Sequence, residues 1–372
     1  MIRSKTLKHL LFSLPNPFST QTSTYVNVTM KLKKDSFFDS IDVLAKSKDL
    51  RPLLTIKNII SNEPNRSIPI SSISKRAREF EISGRVAGFM RKYPSFFEEF
   101  VGPQYNLPWF RLTQDAIELS EFENSVYDKR KLEIVRRLRR LILMSRGKML
   151  PLKIVQGMLW YLGLPEDFLE SQDGIPDGFF EIVETGDGEK GLRAVIDPNE
   201  QILSAVQRNS MGKFPLFPSK GLRLKRKVEA WLEKFQNIPY VSPYEDSSHL
   251  DPSSDVAEKR VVGVLHEMLS LFVDCSAERR RILCLRKHLG LPQKFYKCFE
   301  RHCRVFYILL KNKTCYVVLK EAYCGGSDSG IERHPMLKVR EKYVKLMKKS
   351  DAILRSRRSG KHLEKVGRGE TG

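Results

Sequence analysis

No window of this chain holds about 18 uncharged apolar residues in a row, so no segment has the length and hydropathy of a membrane-spanning helix. Cysteine is confined to the last third, at Cys275, Cys284, Cys298, Cys303, Cys315 and Cys324, and forms no C-x-x-C pair. Several of these stand beside apolar residues, which reads as buried free thiols in a reducing compartment. A zinc site drawing on Cys298, His302, Cys303 and His288 matches no standard cluster spacing, so no metal is expected. Enzyme signatures are also missing: the chain has no G-x-x-x-x-G-K-[ST], no H-E-x-x-H and no G-x-S-x-G. The Gly325 to Gly330 loop lacks a lysine, His266-Glu267 sits inside an apolar helical run, and Asp173, Asp177, Glu181 and Glu184 are scattered over turn and strand. No catalytic residue and no cofactor are therefore expected.

Acidic residues are few. Against 65 Lys and Arg stand 44 Asp and Glu, a formal charge of +21 on 372 residues. With 41% hydrophobic and 29% charged residues the chain can still build a core, so disorder does not account for the excess. A foldable chain this basic calls for a polyanion, nucleic acid before an anionic membrane surface. The first 34 residues contain no acid at all and set Arg3, Lys5 and Lys8 among Ile2, Leu7, Leu10, Leu11 and Leu14. That is the pattern of an organelle transit peptide, and the basic, leucine-rich start favours mitochondrion over chloroplast.

Self-similarity is the strongest signal. Residues 138 to 179 align without a gap to 265 to 306, matching Leu162-Gly-Leu-Pro165 to Leu289-Gly-Leu-Pro292 and Phe179 to Phe306. A more diverged copy lies 82 residues upstream of the middle one, pairing Ile60 with Ile142, Pro69 with Pro151, Ile73 with Val155 and Phe97 with Phe179. Each copy reads as a first helix, a short extended L-P or I-P step, a second helix closed by L-G-L-P, a short third helix and a β-hairpin. That order is a winged helix-turn-helix. The expected fold is α+β, predominantly α-helical, with three tandem winged-helix-like repeats over 35–117, 118–200 and 258–347. The third repeat includes a C-terminal helix. Residues 201–257 are expected to be a linker with a short helix and a flexible acidic loop, and 348–372 a disordered basic tail.

Charge separates the copies. From 291 to 327, Lys294, Lys297, Arg301, Arg304, Lys311, Lys313 and Lys320 face Glu300 and Glu321, whereas 164 to 200 carries eleven acids against Lys190 and Arg193. The third copy suits phosphates and the middle hairpin repels them. The densest basic run lies on the middle copy's first helix, at Lys129, Arg130, Arg136, Arg137, Arg139, Arg140, Arg146 and Lys148. The lesser reading is a solvated helix face. Single-stranded nucleic acid also needs flat side chains to stack on, and Trp109, Tyr296 and Tyr307 are the aromatic candidates least committed to packing. With Arg91, Lys92, Arg111, Arg279, Arg280, Lys294, Lys297, Arg301, Arg304, Lys311 and Lys313, these make up the expected binding surface.

Several segments together resemble a known family, the plant organelle RNA recognition (PORR) domain proteins. They are Lys48-Asp-Leu-Arg-Pro-Leu-Leu54, Phe89-Met-Arg-Lys-Tyr-Pro94, Phe110-Arg-Leu-Thr113, the two L-G-L-P turns, and His334-Pro-Met-Leu-Lys-Val-Arg-Glu-Lys-Tyr-Val-Lys-Leu-Met347. The resemblance covers about residues 36 to 347, and Cys303 stands where a proline is expected. It implies binding of organellar intron RNA, a non-catalytic role in splicing group II introns, and other splicing factors as possible partners. A protein-interaction scaffold and a DNA-binding winged helix are the alternatives from other classes.

Overall fold

The structure, a computed structural model, describes residues 34–102, 107–170, 175–184, 188–197, 199–219, 221, 223–311, 314–326 and 329–367. Apart from Lys34, the expected presequence lies outside these residues. Helices α1 (Ser36–Ser40) and α2 (Asp42–Asn62) open the fold, and strand β1 (Ser67–Pro69), helices α3 (Ile70–Ile73) and α4 (Val86–Arg91) and strands β2 (Phe97–Val101) and β3 (Pro108–Leu112) complete the first copy. The second consists of α5 (Gln114–Leu143), β4 (Met149–Pro151), α6 (Leu152–Leu162), β5 (Phe180–Glu184) and β6 (Lys190–Ala194). After α7 (Ala205–Ser210) and α8 (Arg226–Asn237), the third runs through α9 (Asp255–Leu271), β7 (Ser276–Glu278), α10 (Arg279–Leu285), α11 (Lys297–Arg301), β8 (Phe306–Lys311) and β9 (Thr314–Leu319). A short α12 (Glu321–Cys324) and the long α13 (Leu337–Gly367) end the chain.

The fold is α+β. Each copy contributes one three-stranded antiparallel sheet, and the strand order is the same in all three: β1-β3-β2, β4-β6-β5 and β7-β9-β8. The backbone repeats as closely as the sheets do. Left-handed residues recur at Arg66, Lys148 and Cys275, and again at Glu81, Gly163 and Gly290, which preserves the spacing found in the sequence. The ungapped alignment then slips by one. Phe97, Phe180 and Phe306 open the hairpins opposite Leu112, Ala194 and Leu319, while Phe96, Phe179 and Val305 accept the equivalent bonds from the amides of Thr113, Val195 and Lys320. Phe179 is thus the counterpart of Phe96 and Val305, because the second copy has one extra residue before its hairpin.

Two boundaries move and one expected helix is missing among the described residues. The division at 117/118 falls inside α5, which starts one residue after its N-cap Thr113. No helix occupies the third-helix position of the second copy among its described residues, where Glu166 to Glu170 form turns. The tail read as disordered from 348 instead continues α13 as far as Gly367.

The second and third copies pack about a local two-fold relation. The amide of Arg146 donates to the His288 carbonyl at 3.0 Å, and at the equivalent place the Val273 amide donates to the Tyr161 carbonyl at 2.8 Å. The contact is isologous, each copy giving the end of its first helix to the turn of the other. It also accounts for the glycines of L-G-L-P. A Cβ on Gly163 (φ +69°) would lie 2.9 Å from Val273, and one on Gly290 (φ +65°) 2.6 Å from the Arg146 guanidinium. Beneath the contact, Leu138, Leu141, Ile142, Leu265, Met268 and Leu269 are fully buried, each contributing about 2 kcal/mol by removal from water.

Helix α13 straps the copies together through motif residues. His334 donates Nε2–H to the Leu162 carbonyl at 3.0 Å and accepts the Met336 amide at Nδ1, which fixes a neutral imidazole. Burial, with Arg137 and Arg340 nearby, holds its pKa well below the usual range. Arg340 binds Asp274 and the Trp160 carbonyl and stacks 4.0 Å from the Trp160 ring. Lys57 of α2, only 2% exposed, donates to Glu123 of α5 at 2.6 Å and to Tyr343 of α13 at 3.2 Å. In the first copy, Asp49 accepts Lys92 and the Tyr93 hydroxyl, both at 2.6 Å; burial works to raise its pKa, and these bonds outweigh it and leave it lowered. Lys259 of α9 donates to the Gln236 and Ile238 carbonyls at the end of α8, at 2.9 and 2.8 Å.

Two outcomes follow from these contacts. A left-handed residue other than glycine costs about 1–2 kcal/mol. Gly290→Ala should therefore lower the unfolding free energy by about that much, since the Arg146 side chain can swing aside. Gly163→Ala should cost more, because Val273 and His334 are packed and cannot; urea titration of the two variants measures the difference. Burial, with Lys213 adding to it, pulls Lys259 down to about 8 from its ordinary 10.5. Above pH 8 the folded state sheds a proton that the unfolded chain keeps, so stability should rise by about 1 kcal/mol between pH 7 and 9, and that rise should be absent in Lys259→Met.

Candidate nucleic-acid interface

Where the end of α5 meets the third copy, a groove of about 690 Å³ opens. One wall is α9, carrying Glu258 and Arg260, and the facing wall is the end of α10 with the L-G-L-P turn, carrying Arg286 and Lys287. Lys294, Lys297 and Arg301 follow from the third-helix segment, Arg146 reaches in from the second copy, and residues 247–252 form the lip. Glu258 is the one acid among these described lining residues, against seven cations. Arg301 pairs with it at 2.8 Å, and His302 binds its other oxygen at 2.9 Å. Burial raises the Glu258 carboxyl, but His302 and Arg301 prevail and keep it low, so it stays charged. Arg146, Arg260, Arg286, Lys287, Lys294 and Lys297 make no ion pair among the described residues.

The basic run on α5 divides differently. Lys129, Arg130 and Arg136 are exposed, Arg130 lying 3.5 Å from Glu133. Arg137 is not a surface cation: it is 5% exposed, and its guanidinium sits 3.4 Å from the Ser270 and Glu332 carbonyls. Burial lowers its pKa, with Glu133 opposing. Arg139 caps the Val195 carbonyl at 2.7 Å and forks onto Glu200, with nitrogen to oxygen distances of 2.9 and 2.6 Å. Arg140 binds Glu267, which is fully buried, at 3.1 Å and the Leu203 carbonyl at 2.8 Å. Lys148 turns back onto the Leu143 and Tyr244 carbonyls at 2.6 and 2.9 Å. These four residues are therefore corrected from RNA contacts to internal joints.

In the first copy the expected cations are exposed but engaged, Arg91 with Glu99, Lys92 with Asp49 and Arg111 with Glu98. Trp109 is half-buried over Gly102, where a Cβ would strike its ring, so it offers no free stacking face on that side. Tyr307 is buried and stacks on Phe38 at 4.6 Å, which removes it as a platform. Tyr296 is 37% exposed with the Arg279 guanidinium 5.7 Å above its ring. Arg280 pairs with Glu278 and Arg304 with Glu229. The side chain of Lys311, and Lys313 altogether, lie outside the described residues.

Residues 33–352 match the profile of the plant organelle RNA recognition domain. The chain belongs to the PORR family. Among curated relatives, Protein WHAT'S THIS FACTOR 9, mitochondrial, of Arabidopsis thaliana is 54% identical over 351 residues, which cover 91% of this chain and 90% of that one. The chloroplastic WHAT'S THIS FACTOR 1 homolog of the same plant is 28% identical, covering 85% of this chain and 63% of its own. ROOT PRIMORDIUM DEFECTIVE 1, also from Arabidopsis thaliana, is 27% identical, with 94% and 88% covered. No solved structure matches.

Many of the PORR motif residues are joints rather than ligands: Asp49 with Lys92 and Tyr93, His334 just before α13, and Arg340 and Tyr343 on it. The groove brings together Arg146, Lys294, Lys297 and Arg301, expected from the sequence, with Arg286 and Lys287 just past the end of α10. Arg260 was missed altogether, since it stands beside Lys259 in an otherwise apolar helix. No group of three or more metal-ligating side chains is found among the described residues.

Joint and groove residues should separate in experiment. Arg140→Gln strips a buried carboxylate of its ion-pair partner and should cost about 3 kcal/mol in chemical denaturation. Lys294→Gln with Lys297→Gln should leave stability within about 0.5 kcal/mol and weaken binding to single-stranded RNA in a filter or polarisation assay.

Proposed function

We propose that this protein acts in plant mitochondria as an RNA-binding factor that promotes the splicing of group II introns without supplying a catalytic group. Its family and its mitochondrial relative support the organelle and the ligand class. The observation that carries the binding site is the groove, whose cations, Arg301 apart, have no carboxylate partner among the described residues. In this reading the three copies are winged-helix modules whose third-helix segments and hairpins face outward. The domain boundaries are those of the copies, moved to the start of α5.

Mechanism follows from charge. Phosphates entering the groove release condensed counterions, which lowers the cost of bringing distant intron segments together, while the bond-making steps stay with the RNA. The second hairpin, with Glu181 and Glu184 beside an Ile182 that is 59% exposed, is unsuited to phosphates and is where protein partners among other splicing factors would dock. That feature also favours the scaffold alternative, in which RNA is not bound at all.

Salt decides between them. With about six phosphates neutralised on single-stranded RNA, log Kd should change with log salt with a slope of magnitude near 4. A flat dependence supports the scaffold, and duplex DNA outcompeting RNA of equal length supports a DNA-binding role. Sequencing RNA that co-purifies from mitochondria should recover intron-containing transcripts.

A further inference from the structure

Arg260 stands apart from the other groove cations. It is 7% exposed, yet it forms no ion pair among the described residues: one Nη donates to the Glu245 carbonyl at 3.3 Å, and its Nε–H has no acceptor among them. A guanidinium withdrawn from water without a counter-charge is costly, so such groups are normally paired or bound to an anion. The Arg301 Nε, on the same groove, is also buried without an acceptor among the described residues. Arg146 comes close enough to repel Arg260, which adds to the effect of burial in lowering its pKa. Arg146 itself lies over Gly290, where only the lack of a Cβ makes room for its guanidinium. The acid nearest in effect, Asp246, lies on the exposed lip and is turned toward Ser248.

We infer that the groove contains a discrete seat for one phosphoryl group, with Arg260 and Arg146 as its principal ligands and Lys287, Lys294 and Lys297 around it. Two guanidinium groups lining one groove, one of them nearly dry, suit the planar, bidentate recognition that arginine gives phosphate and a flexible lysine does not. Phosphate oxygens would satisfy the idle Nε–H groups and relieve the repulsion between the two arginines. The seat deepens the RNA-binding proposal, since the group it takes is either a backbone phosphodiester or a terminal phosphate monoester of that RNA.

Thermal unfolding of the full chain in inorganic phosphate, compared with chloride at equal ionic strength, tests the seat. The wild type should gain several degrees in phosphate. Arg146→Gln, an exposed side chain, should lose that gain, while Lys153→Gln on α6 should keep it. Arg260→Lys, which retains charge in the buried position, should lose most of it. Equal melting in the two salts, or a gain unchanged in Arg146→Gln, overturns the proposal. One RNA oligomer with a 5′-hydroxyl or a 5′-phosphate separates the sources: about tenfold tighter binding of the phosphorylated form, abolished in Arg146→Gln, assigns the seat to a terminal monoester. Equal binding of the two forms, weakened alike in Arg146→Gln, assigns it to the backbone. RNA binding that is indifferent to Arg146 and to phosphate removes the seat and leaves the RNA-binding proposal standing. Phosphate stabilisation without RNA binding does the reverse.

Discussion

Burying a cation obliges the fold to supply oxygen for it, and that obligation organises this protein. Lys57, Lys148, Lys259, Lys320, Arg137, Arg140 and Arg340 all lead inward, and each ends on carbonyls, a hydroxyl or a carboxylate of a different element. Removing one partner from such a pair is far more damaging than the pair is stabilising, which makes these contacts good at enforcing one arrangement of the copies. Three small sheets with short helices could be set against one another in several ways. Lys57, reaching from α2 through Glu123 to Tyr343, allows one placement of the C-terminal helix against the first and second copies.

That arrangement leaves the duplicated units unequal. The L-G-L-P turns of the second and third copies sit in related surroundings, each facing the end of the other's first helix. At Gly163 the adjoining space is taken by His334, Met336, Val339 and Arg340, leaving a cavity of about 140 Å³. At Gly290 no segment among the described residues enters in the same way, and the space remains as the basic groove. The repeated turns border two clefts, and the segment running from His334 into α13 fills one. The open cleft is the one bordered by Lys287, Lys294 and Lys297, whereas the filled cleft has Glu166 and Glu123 at its margin. Its surroundings, rather than the repeated turn itself, decide which cleft is suited to an anion.

The repeat was legible in the sequence because packing and backbone conformation both recur at fixed offsets: apolar positions such as Ile60, Ile142 and Leu269, and left-handed ones such as Gly163 and Gly290. The hairpin register was not, since the paired phenylalanines Phe96-Phe97 and Phe179-Phe180 let an ungapped alignment slide by one unnoticed. The basic run of α5 misled for a related reason. Counted as a run it looks like one positive face, but a helix distributes it. Arg137 falls one turn from Leu141 and next to Leu138 on the buried stripe, while Arg136 points out. Arg260 could not be found from pattern at all, because its apolar neighbours mark the position as core and only the groove shows that its guanidinium has an open side.

A basic surface alone does not locate a binding site, because exposed cations are spread widely over it and several of those singled out already have company. Arg91, Arg111 and Arg280 would each have to give up a carboxylate before meeting a phosphate, and an exposed pair of that kind is worth only about 0–1 kcal/mol, so the obstacle is small without being a signal. The groove differs in kind. Its cations are gathered by the docking of two copies, Arg260 is nearly dry, and its repulsion by Arg146 is a cost that an incoming anion would remove. On the proposed reading, binding there would gain both from new contacts and from relief of that repulsion, which is kept in place by the same interface that requires glycine at 163 and 290.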